Sequence, residues 1–441
     1  MYKRRNFLVQ GAGLMAAAAT PLAWAGDDRK SKKTSEAARS PRPATPPAAP
    51  AKPKSRVIVI GGGMAGVTVA KYLRLWGDAI EVILIERSTA YTSNIMSSLV
   101  LTGQRSLSSL VYRYDSLVKV HGVQVITGDV VELDPVGVRV RLASGVQLSA
   151  DRIILAPGID FDPVPGLDNP DLMPHAWKAG RQTTLLAQQL AAMPDDGLAV
   201  LTIPKTPYRC PPGPYERACL LADWLQHHKP KARLLVLDAN PDFVTEKDNF
   251  SRAFRDLYGS VIEYHTDAEV LEVDQAGMGL VTTIGNVTNA NVINLIPRQR
   301  AGSLVSAAGL ANATEGRFAA VHPLTYASTL APRVHIIGDA SDTTQPKAGH
   351  IANQEAKVCA DAIVRALAGL APDPAPVTNS ACYSTITMSQ ASWLTAVFQY
   401  DTANGRMKGV AAGSAASIGW SKDHFDEMNT WFKALMADSF S

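Results

Sequence analysis

Gly61-Gly62-Gly63-Met64-Ala65-Gly66 constrains this chain more than any other stretch, because of what stands on either side of it. Arg56 to Ile60 before it reads as a strand buried on both faces, and Val67 to about Trp76 after it reads as a helix. A second apolar strand, Glu81 to Ile85, ends in Glu86, about 20 residues past the last glycine. Gly61, Gly63 and Gly66 satisfy G-x-G-x-x-G. In strand–loop–helix–strand–acid order the pattern marks a parallel βαβ unit, with a pyrophosphate at the helix N-terminus and a ribose hydroxyl on the acid. The fold class is therefore α/β, with a Rossmann-like nucleotide-binding domain.

A second such unit is outlined by the apolar run Leu198 to Ile203 and the helix-like run Ala218 to His228. Between them lies Pro207-Tyr208-Arg209-Cys210-Pro211-Pro212-Gly213-Pro214-Tyr215-Glu216-Arg217, where a nicotinamide enzyme carries its second glycine loop. Prolines lack N–H donors and fix φ, so this loop is no pyrophosphate cradle. It offers a thiol, Cys210, and a carboxyl, Glu216, instead. Further on, Val334 to Ala340 reads as a strand running into Gly338-Asp339, followed by a helix-like run from Gly349 to Leu370. Such an acid holds a ribityl chain, and the next helix N-terminus faces the pyrimidine carbonyls of a flavin. With the turn Ala156-Pro157-Gly158 between the two landmarks, FAD is the better reading than a nicotinamide for the first loop.

Several runs carry a resemblance to one family. They are Pro174-His175-Ala176-Trp177-Lys178-Ala179-Gly180, Cys210 to Ala218, Val292 to Pro297, Pro346-Lys347-Ala348-Gly349 and Cys382-Tyr383-Ser384. From about Ser55 to its end the chain resembles the flavoprotein subunit of flavocytochrome c sulfide dehydrogenase, within the FAD-dependent pyridine nucleotide-disulfide oxidoreductases. The resemblance implies a glutathione-reductase-like fold of two Rossmann-like nucleotide-binding domains plus a C-terminal flavin-capping and interface segment. It implies an FAD domain over residues 55–161 and 318–370, a second nucleotide-type domain over 162–317 and the C-terminal segment over 371–441. Cofactor contacts are implied at Gly61, Gly63, Gly66, Glu86, Arg87, Ser93, Val130, Ala156, Pro157, Gly158, Gly338, Asp339, Lys347, Gly349 and His350. Cys210 is implied as the sulfur nucleophile and Glu216 as the acid–base carboxyl, acting on sulfide or a related small sulfur compound. Electrons would leave to a c-type cytochrome subunit, since the chain has no Cys-x-x-Cys-His for a haem of its own.

Two departures bear on that chemistry. The family's flavin-linking cysteine falls at Ser93, so FAD is expected without a covalent bond. The resemblance places the disulfide partner of Cys210 just after Gly338-Asp339-Ala340, where this chain has Ser341, so a single working thiol is expected. Cys210 could then carry sulfur as a persulfide or form a flavin adduct. Of the other cysteines, Cys219 reads as a buried free thiol or a partner of Cys210, Cys359 as a small core residue, and Cys382 as a neighbour of the flavin with no assigned role. Two function classes stay open: an exported FAD oxidoreductase of sulfur compounds, and a flavin electron-transfer or assembly subunit whose sulfur site has decayed. A nicotinamide-dependent reductase is the weaker third.

The rest of the chain sets the compartment and excludes other partners. Lys3-Arg4-Arg5-Asn6-Phe7-Leu8, an apolar core and Ala23-Trp24-Ala25 form a twin-arginine signal peptide over residues 1–25, which sends the mature chain to the periplasm. Residues 26–54 are rich in Pro, Ala, Lys and Ser and read as a disordered linker. A net charge of +3 gives no case for nucleic acid, and no later stretch is long enough to span a membrane. The nine histidines form no metal-ligand pattern, so no metal is expected.

Overall fold

The structure, a computed structural model, describes residues 53–441. The expected signal peptide and all but the end of the expected linker lie outside the described residues. Ser55–Ile60 forms the centre of a five-stranded parallel sheet, ordered Val334–Ile336, Arg152–Leu155, Ser55–Ile60, Ile80–Glu86, Gln124–Thr127. Val57 to Val59 are wholly buried because helices cover both faces of such a sheet. The helix after the glycine loop is Met64–Trp76, starting three residues earlier than predicted. Gly63 caps it with its N–H groups pointing into the loop, and no side chain caps them. It packs against the helix Gly349–Leu367.

A second parallel sheet, ordered Ile262–His265, Arg233–Asp238, Leu198–Ile203, Val292–Asn294, repeats the plan. Each half also carries a three-stranded antiparallel meander, Val130–Asp134 with its two successors in the first and Val270–Asp274 with its two in the second. The helix after the proline loop is Gly213–His228, not Ala218–His228. Pro214 does not stop it, because proline is tolerated where the first-turn N–H groups have no helical partner. Glu216 and Arg217 thereby stand on the first turn of a helix, where their directions are set by the helix rather than by a loop.

The C-terminal segment is a long antiparallel hairpin, Val377–Thr387 with Gln390–Asp401, and the helix Lys422–Phe440. That helix returns to the first half: Thr68 Oγ1 donates to Ser439 Oγ at 3.0 Å, and Lys357 pairs with Asp438 at 2.8 Å. The hairpin is tied to the second half, where Glu246 accepts from Ser384 Oγ at 2.6 Å and Ser392 Oγ at 2.7 Å. Among the described residues no helix is long and apolar enough to cross a membrane.

Candidate flavin and thiol site

One cavity of about 580 Å³ is walled by all three parts of the chain, well inside the range of small-molecule sites. At one end lies the glycine loop. A Cβ on Gly66 would stand 1.8 Å from Gly61 O, so only glycine lets the helix close on the strand. A Cβ on Gly63 would meet nothing closer than a ring carbon of Tyr91 at 3.8 Å, which leaves the cradle open. Glu86 ends its strand on the wall with Oε2 accepting from Gly62 N at 2.6 Å. Arg87, Val130, Ala156, Pro157 and Gly158 continue the wall, as do Gly338, Asp339, Gly349 and His350. Asp339 Oδ1 is buried without a hydrogen-bond partner. Burial raises the carboxyl's pKa, against the charges of Arg209 and Lys347. A buried acceptor left unpaired costs about 1–3 kcal/mol, so it calls for a donor from a bound group. His350 Nδ1 accepts from Ala381 N at 3.0 Å, and burial lowers the ring's pKa, which favours the neutral form this bond needs.

Two predicted contacts are not on the wall. Ser93 is fully buried, and its hydroxyl donates to Ile95 O at 3.1 Å, because a buried hydroxyl takes the nearest acceptor. Lys347 also lies behind the wall: its ammonium donates to Ser341 O at 2.7 Å and sits 3.7 Å from the centre of the Phe318 ring. Its carbonyl does touch the site indirectly, accepting from Cys210 N at 2.7 Å.

At the other end the cavity is lined by Cys210, Glu216 and Cys382. Cys210 holds φ at +60°, in the left-handed region, and Gly213 N donates back to Cys210 O at 2.9 Å. Helix and hairpin are joined here, with Glu216 Oε1 accepting from Thr385 Oγ1 at 2.6 Å and Thr385 N at 3.3 Å. Burial, then Cys382 and Glu216, push the Cys210 thiol up, and burial lifts Cys382 to about 11. Burial likewise raises Glu216 to about 7, against the two bonds from Thr385. Against the expectation of a lone thiol, a second free cysteine lines the same cavity. Cys382, 172 residues further on than Cys210 (382 − 210), shares its cavity, whereas Ser341 is buried behind it, bonded to Gly338 O at 2.8 Å. Cys219 and Cys359 are fully buried in helices and do not line this cavity.

The nucleotide position of the second half is filled from within. Asp238 ends the strand Arg233–Asp238, where the ribose acid of a dinucleotide site would stand. It is fully buried and accepts from Tyr215 OH at 2.7 Å, Tyr264 OH at 2.8 Å and Asn240 Nδ2 at 2.7 Å. The N–H of Arg209 donates to Gln299 Oε1 at 2.8 Å, so the loop's donors are taken as well.

Comparison with known proteins agrees with this layout. Family models for the central part of the sulfide dehydrogenase [flavocytochrome c] flavoprotein chain match residues 183–297, and for the flavocytochrome c sulphide dehydrogenase flavin-binding part residues 374–440. Residues 55–191 match the pyridine nucleotide-disulphide oxidoreductase model. The sulfide dehydrogenase [flavocytochrome c] flavoprotein chain of Chlorobaculum thiosulfatiphilum is 47% identical over 38 residues, 9% of this chain and 79% of the relative. The chain belongs to the flavocytochrome c sulfide dehydrogenase flavoprotein family. Its members' cofactor, FAD, fits the open glycine cradle and the unpaired Asp339 oxygen. The mitochondrial sulfide:quinone oxidoreductase of Mus musculus is 29% identical over 194 residues, 42% of either chain, so the match spans less than half the length of that relative. The sulfide:quinone oxidoreductase structure from Aquifex aeolicus shares the fold, with a TM-score of 0.70 at 16% identity over 87% of this chain and 91% of that one. Sequence reasoning left Cys382 without a role and passed over Arg209, Arg217 and Trp177 on the same wall. Trp177 and Arg217 sit inside runs that had marked the family, which was the available signal.

Proposed function

We propose that this flavoprotein oxidises sulfide or a related small sulfur compound and passes the electrons to a c-type cytochrome subunit. The observation that carries the reading is that Cys210, Cys382 and Glu216 share one cavity with the glycine loop and Asp339. Cys210 and Cys382 are free thiols in the structure; once oxidised to a disulfide by loss of two electrons, the pair is attacked by hydrosulfide at one sulfur, which breaks the S–S bond and forms a persulfide on one residue and a thiolate on the other. A second hydrosulfide removes the terminal sulfur as HSS⁻ and leaves one thiol and one thiolate. Their reclosure releases two electrons and one proton, and Glu216 handles that proton close to its own pKa of about 7. FAD, when bound, supplies the two-electron acceptor. Gly61, Gly63, Gly66 and the N-terminus of the Met64–Trp76 helix would hold its pyrophosphate, Glu86 a ribose hydroxyl and Asp339 the ribityl chain.

FAD is bound without a covalent link in this reading, because Ser93 is a poor nucleophile turned to Ile95 O. The domain boundaries at 161, 317 and 370, and periplasmic delivery by the twin-arginine leader, belong to the same proposal. The test is anaerobic mixing of FAD-loaded protein with sulfide while the flavin absorbance is followed. Bleaching reversed by cytochrome c is expected. Unbleached flavin would instead favour an electron-transfer or assembly subunit.

A further inference from the structure

Beside Cys210 the cavity wall carries Arg209, Arg217 and Trp177 as well as the carboxyl of Glu216. Arg217 is 1% exposed, yet every partner it has is neutral: Ser98 Oγ at 3.3 Å, His175 O at 3.1 Å, Asn294 Oδ1 at 3.0 Å and Ala176 O at 3.0 Å. Its guanidinium lies 4.6 Å from the centre of the Trp177 ring. Trp177 is 6% exposed and keeps its indole N–H buried without an acceptor. Arg209 donates to Trp177 O and, like Arg217, forms no direct ion pair among the described residues, although its charge acts on Asp339 across the cavity. Glu216 follows the thiol loop directly but spends its carboxyl on Thr385, on the hairpin side. Glu216 and Cys210 lie close enough to support the Arg217 charge without bonding to it, and a buried guanidinium whose hydrogen bonds are all to neutral groups gains from an anion placed against it.

We propose that Arg209, Arg217 and the indole N–H of Trp177 form an anion subsite that receives the sulfur substrate as a small monoanion, hydrosulfide or HSS⁻, next to Cys210. This rests on the sulfur-oxidising reading above and assigns the ionic form the site takes. Holding the anion there sets it against the Cys210 sulfur and offsets the charge that burial makes expensive. In the FAD-loaded protein the flavin is already in place, so anion affinity left over at this corner is not the flavin's.

The test compares alkylation of reduced Cys210 by iodoacetate, an anion, and by neutral iodoacetamide of nearly the same size. The FAD-loaded protein is labelled under anaerobic conditions, with thiocyanate as a competing anion, and the peptide holding Cys210 is quantified by mass spectrometry. The iodoacetate-to-iodoacetamide rate ratio is expected to be about tenfold higher in the folded protein than in urea, from the local field of two unpaired guanidiniums. Thiocyanate should remove that excess, and so should Arg209→Gln and Arg217→Gln. Equal ratios in folded and unfolded protein, or an excess that thiocyanate and Arg209→Gln leave intact, would overturn the subsite. Thiocyanate needs no variant, which keeps the test decisive if Arg217→Gln does not fold. A labelling bias without bleaching by sulfide would sink the enzymatic reading and leave the subsite standing; bleaching without bias would do the reverse.

Discussion

Replacing Glu216 with glutamine should make the protein more stable at alkaline pH and no more stable at acid pH. Burial raises this carboxyl from 4.5 to about 7 in the folded chain. A raised carboxylate pKa means that the folded state resists ionisation, so the group costs nothing below its unfolded pKa near 4.5. The cost grows as pH rises from there and is complete above about 7. The span is about 2.5 pKa units, or about 3 kcal/mol at full ionisation. Glutamine keeps an oxygen to accept from Thr385 Oγ1 and carries no charge. Urea unfolding of FAD-saturated wild type and Glu216→Gln at pH 5 and pH 8.5 measures the effect. The variant's advantage should be below about 1 kcal/mol at pH 5 and about 2–3 kcal/mol at pH 8.5. Glu355, raised to about 8 by burial, also titrates in this window, but it does so in both proteins and cancels in the difference. An advantage that does not change between the two pH values would refute the assignment of a buried, reluctantly ionised Glu216. The same variant should lose the limb of sulfide-dependent flavin reduction that lies near pH 7.

Cys382→Ser should retain FAD and lose rapid bleaching by sulfide, whereas Ser341→Ala should bleach like wild type, since Ser341 lies behind the wall; stopped-flow absorbance separates them, and the opposite pattern would restore Ser341 as the relevant position. Mild oxidation should link the peptides of Cys210 and Cys382 in non-reducing mass spectrometry, and four freely alkylated thiols would contradict the pair. Asp339→Ala should weaken FAD binding by about 1–3 kcal/mol, roughly 5- to 150-fold in Kd by titration, as a charge-assisted hydrogen bond is lost. Acid precipitation should leave the flavin in the supernatant, and yellow protein in the pellet would show a covalent link despite Ser93.

The readable parts of the fold were the ones written locally. The Gly61 to Gly66 loop, its flanking strands and Glu86 lie within about 30 residues, the size of one βαβ unit, and their order alone implies how they meet. The first turn of the Gly213–His228 helix was missed because prolines read as breakers until their place at the helix start is known. Ser93 and Lys347 were placed on the site by position in the chain, but the direction of a side chain depends on which neighbour satisfies it. Ile95 O takes one and Ser341 O the other.

By itself the sequence pointed to a dinucleotide loop, an acid placed for a ribityl chain and a proline-stiffened thiol loop where a nicotinamide enzyme has its second glycine loop. Each is a contiguous pattern whose chemistry follows from backbone geometry and residue type. Only the tertiary structure decided which second thiol lines the cavity with Cys210 and that Arg217 is buried with neutral groups as its hydrogen-bond partners. Those facts depend on contacts such as Glu216 to Thr385, 169 residues apart, which form because the hairpin packs on the helix and not because of anything local to either residue. Residue identity sets what a side chain is able to do; packing across the chain sets what it meets.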